Sequence, residues 1–131
     1  MNAALAQAAL GLVGSPFRLH GRNPVTGLDC VGLVATTLER AGYYPVAPQG
    51  YSLRALSVKP LLGFAAASGL VEVDEGGDVW LARVHPLQFH LLIPAPGGAV
   101  HAHAGLGRVV FMPDPMAWPI VLRWQLAAER K

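Results

Sequence analysis

The sequence predicts an α+β fold in which helices fill the first half of the chain and an antiparallel sheet of about five or six strands fills the second. Three observations carry this. Helix start and stop signals crowd the residues before Leu70. From Leu70 onward the pattern changes to short runs rich in Val, Ile and aromatic residues, separated by Gly, Pro and Asp. The connections between those runs are too short for the crossovers that a parallel sheet needs, so consecutive strands must run antiparallel.

Taken in order, residues 3–13 read as a helix with Leu5, Ala9, Leu12 and Val13 on one stripe, closed by Gly14-Ser15-Pro16. Residues 30–41 read as a second helix, with Asp29 as its N-cap and Gly42 just past its end. Leu61, Leu62, Phe64 and Ala65 suggest a third, short helix with Pro60 in its first turn, stopping at Gly69. Strands are expected at residues 70–73, 79–84, 88–93, 99–103, 108–112 and 120–124. Neither an internal repeat nor a low-complexity tract interrupts this order.

A chain of 131 residues makes one domain, here residues 1–131. With 53% hydrophobic and 14% charged residues it is no disordered polyelectrolyte. The 15 glycines and 11 prolines follow no collagen-like period and imply many turns. The formal charge is +2, but the basic residues are scattered, which argues against a nucleic-acid partner. Residues 84–107 carry no formal charge, yet Pro86, Pro94, Pro96 and Gly97-Gly98 break them up, so no membrane span is expected. The N-terminus lacks the Lys/Arg region of a secretory signal, which predicts a protein that is cytoplasmic at synthesis.

Cys30 is the only cysteine, so no intrachain disulfide can form. It stands in the first turn of an apolar helix, where unpaired N–H groups and the helix dipole favour thiolate and can bring a thiol down to about 3.5–7.5. A lowered thiol is therefore expected. Gly32, one turn in, costs about 1 kcal/mol of helix propensity relative to Ala, which implies that another backbone approaches there. The plain alternative is a small core residue under a capped helix.

A nucleophilic Cys needs a base and a group that orients the base. His90 opens the run Leu91-Leu92-Ile93, and Val100-His101-Ala102-His103 follows after a Pro/Gly loop, so the two segments should form a hairpin. A loop centred between Ala95 and Pro96 puts His90 opposite His101. A centre between Pro96 and Gly97 puts it opposite His103. Both registers remain open, because His101 and His103 share a face; the plain alternative is ordinary strand histidines. Zinc is a weak alternative, since one Cys with scattered His lacks the paired spacing of structural sites. No phosphate-binding glycine fingerprint is present, so no nucleotide cofactor is implied.

Five blocks in order resemble the NlpC-type cysteine peptidases of bacterial cell-wall turnover: Gly14-Ser15-Pro16-Phe17-Arg18-Leu19-His20-Gly21, Gly27-Leu28-Asp29-Cys30-Val31-Gly32-Leu33-Val34, Gly77-Asp78-Val79-Trp80, His90-Leu91-Leu92-Ile93 and Val100-His101-Ala102. The resemblance implies a minimal papain-like fold, the Cys helix packed on an antiparallel sheet. It implies Cys30 as nucleophile, His90 as base and acid, and His101 as orienter of His90, with His103 as runner-up. It also implies amide hydrolysis in peptidoglycan stem peptides, commonly between D-glutamate and diaminopimelate, with no metal or organic cofactor. Two departures stand out. Phe17 replaces the family tyrosine near the nucleophile, with His20 a conceivable substitute, and Val31 replaces the usual Ser. Compact members without a secretion signal resemble the peptidases of phage tails and gene-transfer particles, so phage-tail or particle proteins are expected partners. A related amidase or acyltransferase, or a catalytically silent wall-binding module, is the alternative. Arg18, Arg22 and Arg54 lie in or near segments expected to flank the nucleophile and could hold a substrate carboxylate.

Overall fold

The structure, a computed structural model, describes residues 2–48, 59–86 and 88–127. It is an α+β fold as expected. The elements run α1 (Ala3–Leu10), β1 (Arg22–Asn23), β2 (Gly27–Leu28), α2 (Cys30–Arg40), α3 (Lys59–Ala67), β3 (Leu70–Val73), β4 (Val79–His85), β5 (Gln88–Ala95), β6 (Gly98–His103), β7 (Arg108–Pro113) and β8 (Ile120–Leu126). No helix among the described residues is long and apolar enough to cross a membrane.

Asn2 caps α1, its side chain accepting from the N–H groups of Ala4 and Leu5 at 3.0 and 3.1 Å. The helix ends at Leu10, short of the expected Val13, because Leu12 and Val13 donate three residues back to Ala9 and Leu10 and tighten the chain into turns. Gly14 then takes φ 96° and donates to the Val109 carbonyl, which turns the chain onto β7. Ser15 and Phe17 continue the contact: Val109 donates to the Ser15 carbonyl, Phe17 donates to the Gly107 carbonyl, and Pro16 bridges Arg108.

The six long strands form one antiparallel sheet in the order β3-β8-β4-β5-β6-β7. The last strand is thus inserted between β3 and β4. Gly77-Asp78 locks that insertion: Asp78 donates its N–H to the Trp124 carbonyl and its carboxylate accepts the Leu126 N–H at 2.8 Å. Alternation then sorts the side chains into two faces. The inner face, with Val79, Leu81, Leu91, Ile93, Val100, Ala102 and Trp124, forms the main core with Leu5 and Ala9 of α1 and Val31, Val34 and Leu38 of α2. The outer face carries Ala82, Leu92 and Ala99, covered by Trp80, Met112, Met116, Trp118 and Ile120.

The β1–β2 hairpin pairs Arg22 with Leu28 and Asn23 with Gly27. It lies against the start of α2, where a side chain at Gly32 would collide with the Gly21 carbonyl oxygen. The expected close approach of another backbone at Gly32 is therefore the approach of this hairpin.

Candidate functional site

Cys30 is the first residue of α2, and the elements around it are built from backbone. Asp29 caps the helix, accepting the Gly32 N–H at 2.8 Å, as the sequence predicts. Its carboxylate also accepts the His20 N–H at 2.8 Å and the Arg22 guanidinium at 3.2 Å. His20 holds φ 61°, a left-handed conformation uncommon outside glycine, and the Asp29 bond to its N–H helps fix it. Arg22 reaches further, to the Gly21 and Pro48 carbonyls, each at 3.0 Å. Three of its bonds thus fix the start of α2. Arg18 is exposed and Arg54 lies outside the described residues.

The hairpin of β5 and β6 takes the second of the two registers, with Ala95 opposite Gly98, Pro94 opposite Ala99, and Leu92 opposite His101. The ladder stops at that last pair. The backbone of Leu91, the next residue on β5, faces the Cys30 thiol and favours its thiolate form. The only cysteine therefore sits where β6 parts from β5, against the residue that follows His90.

In that register His103, not His101, falls opposite His90. The ring contact nevertheless goes to His101: His90 Nδ1 and His101 Nε2 lie 2.5 Å apart, with ring centroids at 4.8 Å. This is a diagonal pair across the strands, within reach of aromatic side chains. His103 is diverted instead, because its Nδ1 accepts the Leu106 N–H at 3.0 Å in the turn that follows β6. The other His90 nitrogen, Nε2, meets the Gln88 amide nitrogen at 3.2 Å. With the amide as donor, the protons run one way: Gln88 to His90 Nε2, then His90 Nδ1–H to His101 Nε2, leaving His101 Nδ1 as a buried N–H without a partner among the described residues.

The structure thus brings His90 and His101 into contact and sets Cys30 against the strand that carries His90. Among the described residues no hydrogen bond joins the thiol itself to either imidazole. The rings lie on the outer face with Ala82 and Leu92, whereas Cys30 belongs to the inner core. Phe17 is half-buried and packs on that inner core, its backbone bridged to Leu28. Trp118, which the sequence reading missed, approaches both rings, with centroids 6.1 Å from His90 and 5.2 Å from His101. It lies on the β7–β8 connection, which has no periodic pattern to mark it. Among the described residues no three of His, Cys, Asp and Glu are grouped as metal ligands.

Electrostatics corrects one expectation. Burial pushes the Cys30 thiol from 9.0 up to about 12, the backbone of Leu91 opposing it and the nearby Asp29 carboxylate adding to it. With 1% of Cys30 exposed, loss of solvent outweighs the helix N-terminus, and the resting thiol is protonated rather than lowered. Burial, then the neighbouring His103, holds His90 below its ordinary value of 6.5. Burial, then His90 and His103, takes His101 down to about 3. Both imidazoles are neutral at pH 7.

No family model matches the sequence, and no curated protein matches it. Among solved structures the chain is similar to the NlpC/p60 domain of the peptidoglycan hydrolase SagA, with a TM-score of 0.52 and 20% identity over 84% of this chain and 86% of that one. At that identity the likeness establishes the fold: the six-stranded sheet with its helices is a papain-like arrangement of the NlpC/p60 kind.

Proposed function

We propose that the protein is a cysteine peptidase acting on peptidoglycan stem peptides, with Cys30 as nucleophile, His90 as general base and acid, and His101 as the group that orients His90. The observation that carries the reading is an imidazole fixed by a second imidazole on β5, next in sequence to the residue whose backbone faces the sole thiol. A fold shared with a peptidoglycan hydrolase domain adds to it.

The resting site holds a thiol and a neutral imidazole, so activation must accompany substrate binding. His90 Nδ1 is engaged by His101, which leaves Nε2, now held by Gln88, to take the thiol proton once substrate binding has brought the sulfur and this nitrogen together. Sulfur then attacks the amide carbonyl carbon, and the oxyanion forms near the N–H groups at the start of α2. On collapse His90 returns the proton to the leaving amine, giving a thioester. Water, deprotonated by His90, releases the acid and regenerates the thiol. Cleavage after D-glutamate, and a protein made in the cytoplasm and carried by a phage-like particle, belong to the same proposal.

The test is digestion of diaminopimelate-type sacculi and muropeptides, with products identified by mass. Peptide release that disappears in Cys30→Ala supports the reading; release that persists in Cys30→Ala overturns the assigned nucleophile. The buried, protonated thiol favours a second reading, a module that keeps the fold without turnover. That reading expects no release and no iodoacetamide labelling of Cys30 below pH 9 in the folded chain, and Cys30-dependent release sinks it.

A further inference from the structure

Trp118 stands at a place that the proposed reaction does not use. The connection bearing it is pinned at both ends, by the Asp114 N–H to the Gly97 carbonyl at 2.9 Å and by the Arg83 N–H to the Pro119 carbonyl at 3.0 Å. Where β8 begins, its register against β4 slips between the pairs Ala82↔Ile120 and Leu81↔Leu122. A bulge of this kind bends a strand and re-aims the side chains beside it. The indole comes to lie on the outer face with Ala82, Leu92 and Ala99, at 55° to the His90 ring and 71° to the His101 ring, the second an edge-on contact. Aromatic pairs in this arrangement are attractive beyond the area that they cover.

We propose that Trp118 is a positioning residue for the imidazole pair: it holds the His90 and His101 rings in contact and keeps water from them. The state of His101 supports this. His101 is 1% exposed and its Nδ1 has no partner among the described residues, an arrangement whose cost falls as soon as water can reach the nitrogen. Removing the indole opens that path on the outer face. Water then both hydrates the ring and competes for the His90–His101 bond, so His90 loses its fixed orientation. Besides each other, the titratable group that bears on both rings is His103 on the neighbouring end of β6. His103 lies on a different element from Trp118, so a change at Trp118 leaves that charge in place.

The experiment is histidine-labelled NMR titration of the full chain as wild type, Trp118→Ala and Trp118→Phe, alongside turnover of muropeptides. In the wild type His101 stays neutral to about pH 3. In Trp118→Ala its midpoint should rise by about two units toward the ordinary value of about 6.5, and Trp118→Phe should recover most of the shift. Should Trp118→Ala fail to fold, Trp118→Gln, which has no ring, takes its place. An unshifted midpoint in a folded ringless variant overturns the inference. The turnover arm rests on the peptidase reading: kcat should fall about tenfold in the ringless variant with KM within twofold, equal to about 1.4 kcal/mol in the transition state. A shifted titration in a protein without turnover would sink the peptidase reading alone, whereas an unshifted one sinks the role of Trp118 whether or not peptides are released.

Discussion

The start of α2 and the imidazole pair lie on opposite faces of the same strand and are built by different means. Around Cys30 the atoms are placed by backbone: a helix start, a capping carboxylate, and a hairpin carbonyl packed against Gly32. Around His90 they are placed by side chains meeting diagonally across a hairpin, with Gln88 and Trp118 closing the group. Backbone-built sites admit almost no substitution, since a single added methyl has nowhere to go. Side-chain-built sites should lose function before they lose the fold.

The largest effect should fall on the base. On the proposed reading, His90→Ala lowers turnover of muropeptides about 10³-fold while thermal unfolding changes little, because the outer face can adjust. Gly32→Ala should do the opposite. Its methyl meets the Gly21 carbonyl oxygen, and we expect a loss of about 3 kcal/mol in urea unfolding, or no folded protein at all. A stable Gly32→Ala would break the contrast between the two regions.

Asp29→Ala should cost about 2 kcal/mol, since it removes the cap of α2 and its bonds to the His20 N–H and the Arg22 guanidinium, whereas Asp29→Asn should recover about half. His101→Ala should reduce kcat about tenfold and His103→Ala by less than threefold, the ranking set by which ring touches His90. The reverse ranking would move the orienting role to His103.

Stability against pH tests the burial on which both regions depend. Both imidazoles have folded values below 6.5, so their contribution is complete above that pH and is lost as pH falls from 6.5 toward about 3. Cys30 works in the other direction. Its folded value lies above 9.0, so its contribution is complete below pH 9 and is lost as pH rises toward about 12. Urea midpoints should therefore decline on both sides, and Cys30→Ala should flatten only the alkaline side.

Much of the fold was legible because its signals are local. Asp29 before an apolar helix marked the start of α2, and alternation marked β3 at its observed bounds and β4 to β8 within a few residues. What was not legible depends on contacts distant in sequence. Arg22-Asn23 and Gly27-Leu28 carry no apolar alternation, and they pair only because the chain reverses against α2. Insertion of β8 between β3 and β4 is decided by Asp78 meeting Trp124 and Leu126. At the candidate site the sequence marked His90 and His101 as candidates but left the hairpin register open, and the ring contact arises by a diagonal that ladder arithmetic does not consider. The protonation of Cys30 was misjudged for the same reason, since the dipole of a helix start can be read from sequence and the depth of its burial cannot.

The pairing of the segment around Pro16 with β7 has a consequence for how these molecules behave when crowded. A sheet presents two open rims, and an exposed rim invites a second chain to add a strand. Here one rim, β7, is already engaged by the bonds at Gly14, Ser15 and Phe17, with a proline at its centre that offers no N–H to an incoming strand. The other, β3, is four residues long and carries Glu72 among its exposed positions. The same short stretch that leads the chain toward its only cysteine thus closes one of the two rims along which strand-by-strand growth into fibres would have to proceed.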